Sequence, residues 1–564
     1  MSTTVAARPT CPYALGERVL DLRGNERFVC WIDPSGKRFG LGSTATQSFG
    51  FEFASIQEIV RCPPEVTSTR KAPGSAFKHQ AEGIRWLDHF KSCLLADEPG
   101  LGKTMQACVA ADPRIVIVCP AAMRIEWQRE LARWRPELQA YIVSGTKPLD
   151  VGLVAQFDAV IVNFDVVAFH VEALTKLPIA TLIVDEAHNV KTLKATGKTK
   201  KVSGSKRAMA VAELARHTDP KRFFLTGTPV ENRPIEIWPL LFMIDPSFWG
   251  DYVAFGRKFC DGKLTEVGRR CQRVKTWDFS GASNIPRLHQ LLSRSMLRRR
   301  KELLDLPPKS RQTLYVPLDD ATAREYGQAF RDFVSWVRES GGPVAVLKHL
   351  AAPAVTKLTA LRKLAARGKL EAATDWIVAH AEGTRRPLVV MAHHRDVTAG
   401  LSDVLGSKEF HDGISVRPFR VGKIVGGMSE TERTADKDAF QRGELDVIVC
   451  SIQAAGVGLT LTRASEMLFI ERAWKPALLV QAEDRIYRIG QKNHVTITYM
   501  DAAGTVDEWL KELLVDKQST VAGIVDGIEL DEQQAEAFVL GKVLGVESSC
   551  EDFSTGQQNL PHAR

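Results

Sequence analysis

Three things are scarce in this chain: paired cysteines, long apolar runs and an excess of one charge. Its ten cysteines are scattered, with no C-x-x-C pair, and Cys119 and Cys450 sit inside apolar runs. That excludes the usual zinc spacings and a disulfide framework, and a reducing compartment is expected. No apolar run approaches the ~20 residues of a membrane span, and the opening M-S-T-T-V-A-A-R has no signal-peptide core. The expected location is intracellular, cytoplasmic for a prokaryotic or viral source and nuclear for a eukaryotic one. A formal charge of +8 over 564 residues permits a polyanionic partner without demanding one. What remains is an ordinary globular composition, 44% hydrophobic and 25% charged. The chain is too long for a single core, so several domains are expected.

The most informative stretch is Asp97-Glu98-Pro99-Gly100-Leu101-Gly102-Lys103-Thr104. The apolar lead-in Cys93–Ala96 reads as a buried strand, and Met105 onward reads as a helix. Strand, glycine turn, Gly-Lys-Thr and helix make a phosphate-binding loop. Gly100 and Gly102 let backbone N–H groups approach phosphate oxygens, and a helix N-terminus favours that charge. Lys103 is placed to reach the β- and γ-phosphates of ATP, and the Thr104 hydroxyl to ligate Mg²⁺. Asp97 stands where the generic pattern has its first glycine, so the loop needs support from elsewhere in the chain.

That support follows in order. Before the loop, Ser75 reads as the N-cap of a helix with Phe77, Ile84, Leu87 and Phe90 on its apolar face, and Gln80 is placed to read an adenine edge. After it, R-I-V-I-V-C-P, D-A-V-I-V-N-F, T-L-I-V-D-E and R-F-F-L-T-G are short, uniformly apolar runs separated by helical text. Such runs suit strands covered on both faces, hence a parallel α/β sheet. The third ends in Asp185-Glu186, where one carboxylate can hold Mg²⁺ and its neighbour deprotonate an attacking water. The fourth ends in Leu225-Thr226-Gly227-Thr228-Pro229, a hydroxyl-rich turn suited to sensing a γ-phosphate. The basic loop Lys191 to Arg207 between them is either a solvated insertion or a grip on phosphate backbone.

A second set of strands begins near Leu388: L-V-V-M-A-H-H, L-D-V-I-V-C-S, E-M-L-F-I-E and H-V-T-I-T-Y-M. Ser429 and Glu432 form a capping box for a helix that stops at Gly443. Gly456 and Gly458 allow close backbone approach to a ligand or to the other lobe. In Q-A-E-D-R-I-Y-R-I-G-Q, a helix would put Gln481, Arg485 and Arg488 on one face, with two guanidiniums aimed at a transferring phosphoryl group. Near the N-terminus, R-F-V-C-W-I-D, a Pro-Ser-Gly turn, R-F-G-L-G and a strand near Phe49 to Phe53 read as a small β unit. Its mixture of Arg27, Phe28, Trp31, Lys37, Arg38 and Phe39 suits a nucleic-acid platform and equally a small β module with half-buried aromatics.

From Phe77 to about Ala522, the ordered set D-E-P-G-L-G-K-T, D-E-A-H, L-T-G-T-P, A-G-V-G-L and Q-A-E-D-R-I-Y-R-I-G-Q resembles the Swi/Snf-type ATPases of helicase superfamily II. The segments G-A-S-N-I-P-R-L-H-Q-L-L-S-R-S-M-L-R-R-R-K and V-V-M-A-H-H-R-D are most similar to its fork-remodelling, annealing-helicase branch. The resemblance implies an α/β fold of two RecA-like parallel-sheet lobes, with ATP and Mg²⁺ between them and duplex or forked DNA tracked across both. It implies that Gln80 contacts adenine, that Asp97, Glu98 and Gly100 to Thr104 cradle phosphates, and that Asp185 holds Mg²⁺. It also implies that Glu186 is the base, that Thr226 to Thr228 couple the lobes, and that Arg485 and Arg488 complete the site. The implied function is an ATP-dependent double-stranded DNA translocase that remodels or anneals structures such as forks. A strand-separating helicase and a translocase that displaces DNA-bound proteins are the alternatives. Pro99 for Met, Ala455 for glycine, Trp474-Lys475-Pro476 for W-N-P and Tyr487 for His depart from the family pattern, and none removes a catalytic group. The expected organisation is a β-rich module over 1–62, a linker over 63–73 and a first lobe over 74–245. A helical protrusion and connector over 246–355, a second lobe over 356–525 and a C-terminal helix and polar tail over 526–564 follow.

Overall fold

The computed structural model describes residues 68–511, except 69, 197–200, 231–232, 268–273, 342–350, 412–413, 456–458 and 474–475. It also describes the backbone of an N-terminal antiparallel sheet built from Arg18–Leu20, Glu26–Ile32, Arg38–Gly42, Glu52–Ser55 and Val60–Arg61. Gly456, Gly458, Trp474 and Lys475, together with residues 197–200 of the basic loop, lie outside the described residues. Among the described residues no helix is long and apolar enough to cross a membrane.

The apolar runs after the phosphate loop form a parallel sheet. Its spatial order is Met296–Leu297, Ser92–Leu95, Lys221–Leu225, Thr181–Asp185, Ile115–Cys119, Ala159–Asn163, Ala140–Ile142. Ile115–Cys119, Ala159–Asn163 and Thr181–Asp185 are buried at every position because helices cover both faces. One apolar cluster holds Val116, Val118, Val160 and Val184, and the opposite face holds Ile115, Ile117, Ile161 and Ile183, the two-residue period of a strand. Register brings Leu95, Leu225 and Asp185 level across three adjacent strands. Their carboxyl ends therefore deliver the phosphate loop, the L-T-G-T-P turn and the acidic pair to one edge, where ligands bind in open parallel sheets.

The second parallel sheet runs Lys309–Val316, Val495–Ala502, Glu466–Phe469, Leu388–Ala392, Val447–Ser451, Val421–Ile424, again with an apolar cluster on each face. Four strands interrupt the expected helical span 246–355, two of them the hairpin Lys263–Val267 and Val274–Asp278. Met296–Leu297 pairs with the phosphate-loop strand, and Lys309–Val316 pairs over its whole length with Val495–Ala502. Met296–Leu297 was hidden because it is two residues long, and Lys309–Val316 because Ser310, Arg311 and Gln312 make a run of exposed polar positions. The aromatic text before them does not stand off the first lobe. Trp238, Trp249, Phe255, Phe259 and Phe279 belong to that lobe's core, and the Trp238 indole donates to Trp249 O at 2.8 Å.

Candidate active site

Glycine shapes the loop. Gly100 (φ +92°) and Gly102 (φ +82°) are left-handed, and Gly102 immediately precedes the helix Lys103–Ala110, so the unpaired N–H groups of that helix end open onto the loop. Lys103 Nζ folds back to donate to Asp97 O at 2.6 Å and Glu98 O at 3.4 Å. Burial lowers the Lys103 pKa, while Glu186, Asp97 and Asp185 oppose it, in that order. Three carboxylates thus lie within electrostatic reach of one ammonium. Thr104 occupies the same first turn and is half-buried.

The other loop positions face inward. Asp97 is fully buried and clamped by Arg299, with Nε to Oδ1 at 3.0 Å and Nη2 to Oδ2 at 2.5 Å, and Gln106 Nε2 adds a bond at 3.3 Å. Glu98 Oε2 accepts from Lys301 N at 2.8 Å. The Leu101 carbonyl accepts from Gln80 at 3.3 Å and Gln106 at 3.2 Å, and His79 Nε2 lies 3.1 Å away. Asp97, Glu98 and Leu101 therefore fix the shape of the loop.

Gln80 is 6% exposed, and its amide oxygen accepts from Phe77 N at 3.1 Å. It caps its own helix, which runs Lys78–Phe90, so the N-terminal boundary falls at Phe77 and not at Ser75. Phe77 is 48% exposed, outside the apolar face where Ile84 and Leu87 are buried.

Asp185 ends its strand buried, with Oδ2 accepting from the Trp127 indole at 2.9 Å and Oδ1 from Glu186 N at 2.9 Å. Burial first and Glu186 second push its pKa up to about 6. Glu186 has φ 47°, a left-handed conformation rare outside glycine and asparagine. His188 Nδ1 lies 3.4 Å from Glu186 Oε2 and 3.0 Å from Thr226 Oγ1, and Thr226 Oγ1 accepts from Thr228 N at 3.1 Å. The acidic pair and the hydroxyl turn are thus joined through one imidazole, a link the sequence reading did not include.

The second lobe reaches this edge. A Cβ placed on Gly100 would lie 3.0 Å from Arg488 Cβ and 3.6 Å from Lys301 Cε, so the turn carrying Arg488 covers the loop. The helix expected over that turn stops early, at Glu483. Tighter bonds follow, Arg485 N to Ala482 O at 3.0 Å and Ile486 N to Glu483 O at 3.1 Å, and Asp484 between them is buried. The arginines still converge: Arg485 Nη1 and Arg488 Nη1 both donate to Leu459 O, at 3.4 and 3.1 Å. Burial and then Arg488 bring the Arg485 pKa down to about 10, with Asp484 and Glu186 opposing, so a first-lobe carboxylate acts on a second-lobe guanidinium.

Sequence reasoning missed Trp127, His188, Arg298, Arg299 and Lys301. Arg298 Nη1 donates to Ala96 O and Gly227 O, each at 3.0 Å, and so ties the phosphate-loop strand to the L-T-G-T-P turn. The signal available was the R-R-R-K run itself, four cations directly after an apolar pair.

A phosphate loop, an acidic strand end and two arginines from a second parallel-sheet lobe define a two-lobed, helicase-like nucleotide-binding protein. Family models place it further: the SNF2-related domain matches residues 79–366 and the helicase conserved C-terminal domain matches residues 368–490. The chain belongs to the SNF2-related family. It is 31% identical over 464 residues to the DNA annealing helicase and endonuclease ZRANB3 of Bos taurus, covering 79% of this chain and 40% of that protein. It is 30% identical over 494 residues to the SWI/SNF-related matrix-associated actin-dependent regulator of chromatin subfamily A-like protein 1 of Xenopus tropicalis, covering 84% and 47%. The chain thus spans less than half the length of these relatives. The solved Sulfolobus solfataricus SWI2/SNF2 ATPase core in complex with dsDNA is 22% identical and covers 86% of this chain and 100% of its own, at a TM-score of 0.37.

Proposed function

We propose that this protein is an ATP-dependent double-stranded DNA translocase that remodels or anneals DNA structures such as forks. The carrying observation is the seating of Arg488 over Gly100, with Arg485 in the field of Glu186: the candidate chemistry needs both lobes. On this reading Lys103 leaves the Asp97 and Glu98 carbonyls to take the β- and γ-phosphates. Glu186 accepts the proton of the attacking water. Arg485 and Arg488 neutralise charge that develops on the phosphoryl oxygens as the lobes close. The donor set suits Mg²⁺, which takes one or two carboxylates beside substrate phosphates. Asp185 and the Thr104 hydroxyl would hold it, and it would supply charge neutralisation at the phosphates.

Repeated closure and opening against duplex DNA gives translocation. One relative is a DNA annealing helicase and endonuclease, which supports DNA as the substrate and annealing as the outcome. The test measures ATP hydrolysis with forked, duplex and single-stranded DNA and scores annealing and unwinding on the same substrates. Stimulation by duplex or forked DNA with annealing is expected. Hydrolysis indifferent to DNA, or net strand separation, refutes the proposal.

A further inference from the structure

The segment Arg298–Lys301 touches the phosphate loop, the L-T-G-T-P turn and the arginine turn. Arg298 holds two of the site's strand ends together, and Arg299 clamps Asp97. The next contact crosses between lobes. Lys301 N donates to Glu98 in the phosphate loop, while Lys301 Nζ pairs with the Asp484 carboxylate and donates to Tyr487 O at 3.2 Å. Asp484 and Tyr487 are the immediate neighbours of Arg485 and Arg488. Its Cε lies 3.6 Å from a Cβ built on Gly100, so one side chain touches the loop and pins both ends of the arginine turn.

The pair is enclosed, with Lys301 13% and Asp484 4% exposed. Such a pair contributes little net stability compared with an apolar replacement, because desolvating both charges offsets their attraction. Its geometry is specific all the same. The ammonium is first-lobe in origin and, among the described residues, its acceptors Asp484 and Tyr487 O are second-lobe, so it sets where the arginine turn sits relative to the phosphates.

We propose that Lys301 is a positioning residue for the reaction, registering the Asp484–Arg488 turn over the phosphate loop when the lobes meet. The inference rests on the ATP-hydrolysing reading of the site. Its role is to place Arg485 and Arg488 without itself touching the reacting atoms.

The test uses the full chain with ATP and duplex DNA. The double variant Lys301→Met with Asp484→Met removes both charges, so neither is left buried alone. Its melting temperature and its affinity for a fluorescent ATP analogue should stay near wild type, while turnover falls on the order of 100-fold, the scale of a small misplacement of catalytic groups. The exchange Lys301→Asp with Asp484→Lys should recover part of that turnover. Wild-type turnover in the double variant, or an affinity loss as large as the turnover loss, overturns the proposal.

If the double variant does not fold, Lys301→Arg decides the matter. It keeps the Asp484 pair but carries a planar fork where the Tyr487 carbonyl receives an ammonium. Turnover lowered about tenfold at unchanged melting supports positioning, and unchanged turnover overturns it. Lys103→Ala run alongside separates the two readings. Hydrolysis surviving in Lys103→Ala refutes the site itself, whereas its loss there with normal Lys301 variants refutes only this inference.

Discussion

Replacing Arg485 by alanine removes a charge that reaches the candidate site only through the second lobe. Arginine fingers in NTPases are worth about 10³–10⁵ in rate, or roughly 4–7 kcal/mol of transition-state stabilisation. Here Arg488 lies beside Arg485, close enough to lower its pKa, and donates to the same Leu459 carbonyl. The remaining arginine keeps part of the charge in place, so the single loss should fall at the lower end, about 10³ in turnover. Nucleotide affinity should change much less, because Lys103 and the glycine loop belong to the first lobe alone. Stability carries a separate cost. Gln481 O, on a half-buried residue, loses its bond from Arg485 Nε at 3.0 Å, which costs about 1 kcal/mol. Leu459 O keeps Arg488. Lysine at 485 should not restore turnover, since it lacks the planar fork. The assay is steady-state hydrolysis at saturating duplex DNA, with nucleotide binding and thermal melting on the same preparations. An affinity loss matching the turnover loss would refute the reasoning, as would a first lobe ending before Lys309 that hydrolyses ATP at the full DNA-stimulated rate.

Lys103→Ala and Glu186→Gln should each abolish hydrolysis while melting stays near wild type; near-normal hydrolysis by either would remove that residue from the site. Neutralising Lys198, Lys200, Lys201, Lys206 and Arg207 should weaken DNA binding alike for all sequences and flatten its salt dependence by roughly one unit of slope per lost phosphate contact. An unchanged slope makes the loop a solvated insertion. Burial pushes the Asp446 pKa up, but bonds from Arg417 and Arg420 outweigh it and bring it down to about 2. A depressed folded-state pKa stabilises above the unfolded value near 3.8 and is lost as pH falls through about 2. Asp446→Asn should therefore lower the melting temperature at pH 7 and differ little from wild type near pH 2; an equal deficit at both would rule out the linkage.

The parts of the fold legible in the sequence were those set by local rules. Uniform apolar runs gave the sheet strands, and the box at Ser429 and Glu432 closes reciprocally, Ser429 N to Glu432 Oε2 at 2.8 Å and Glu432 N to Ser429 Oγ at 3.2 Å. What stayed hidden depends on partners far along the chain. Gln80 looks solvated on a helical wheel, but the loop brings the Leu101 carbonyl to it, and its oxygen is taken by Phe77. Spacing alone extended the arginine helix to Arg488, whereas the pull of Lys301 on Asp484, from 183 positions away by their numbers, is visible only once both lobes are folded. The R-R-R-K run carried charge without direction until the strand Met296–Leu297 fixed where it points.

Nothing apolar joins the two lobes: among the described residues, no hydrophobic cluster contains residues from both sheets. Charge joins them instead. The first-lobe helix Arg124–Trp134 meets the second-lobe helix Glu430–Arg442 through Arg124–Glu430 at 2.8 Å, Lys437–Glu126 at 2.7 Å and Arg129–Asp438 at 3.0 Å. Glu430 also accepts from Ile125 N at 3.1 Å, in the first turn of its partner helix. Pairs at this exposure, 11–46%, contribute on the order of 1 kcal/mol each and weaken with salt, so the lobes can part without exposing a core. On the proposed reading, a motor that opens in every cycle needs such a joint. The same helix presents Trp127, whose indole holds Asp185. Docking of the second lobe and placement of the acidic pair are therefore carried on one rigid element, and the closing that seats the arginine turn over Gly100 bears on the carboxylate as well.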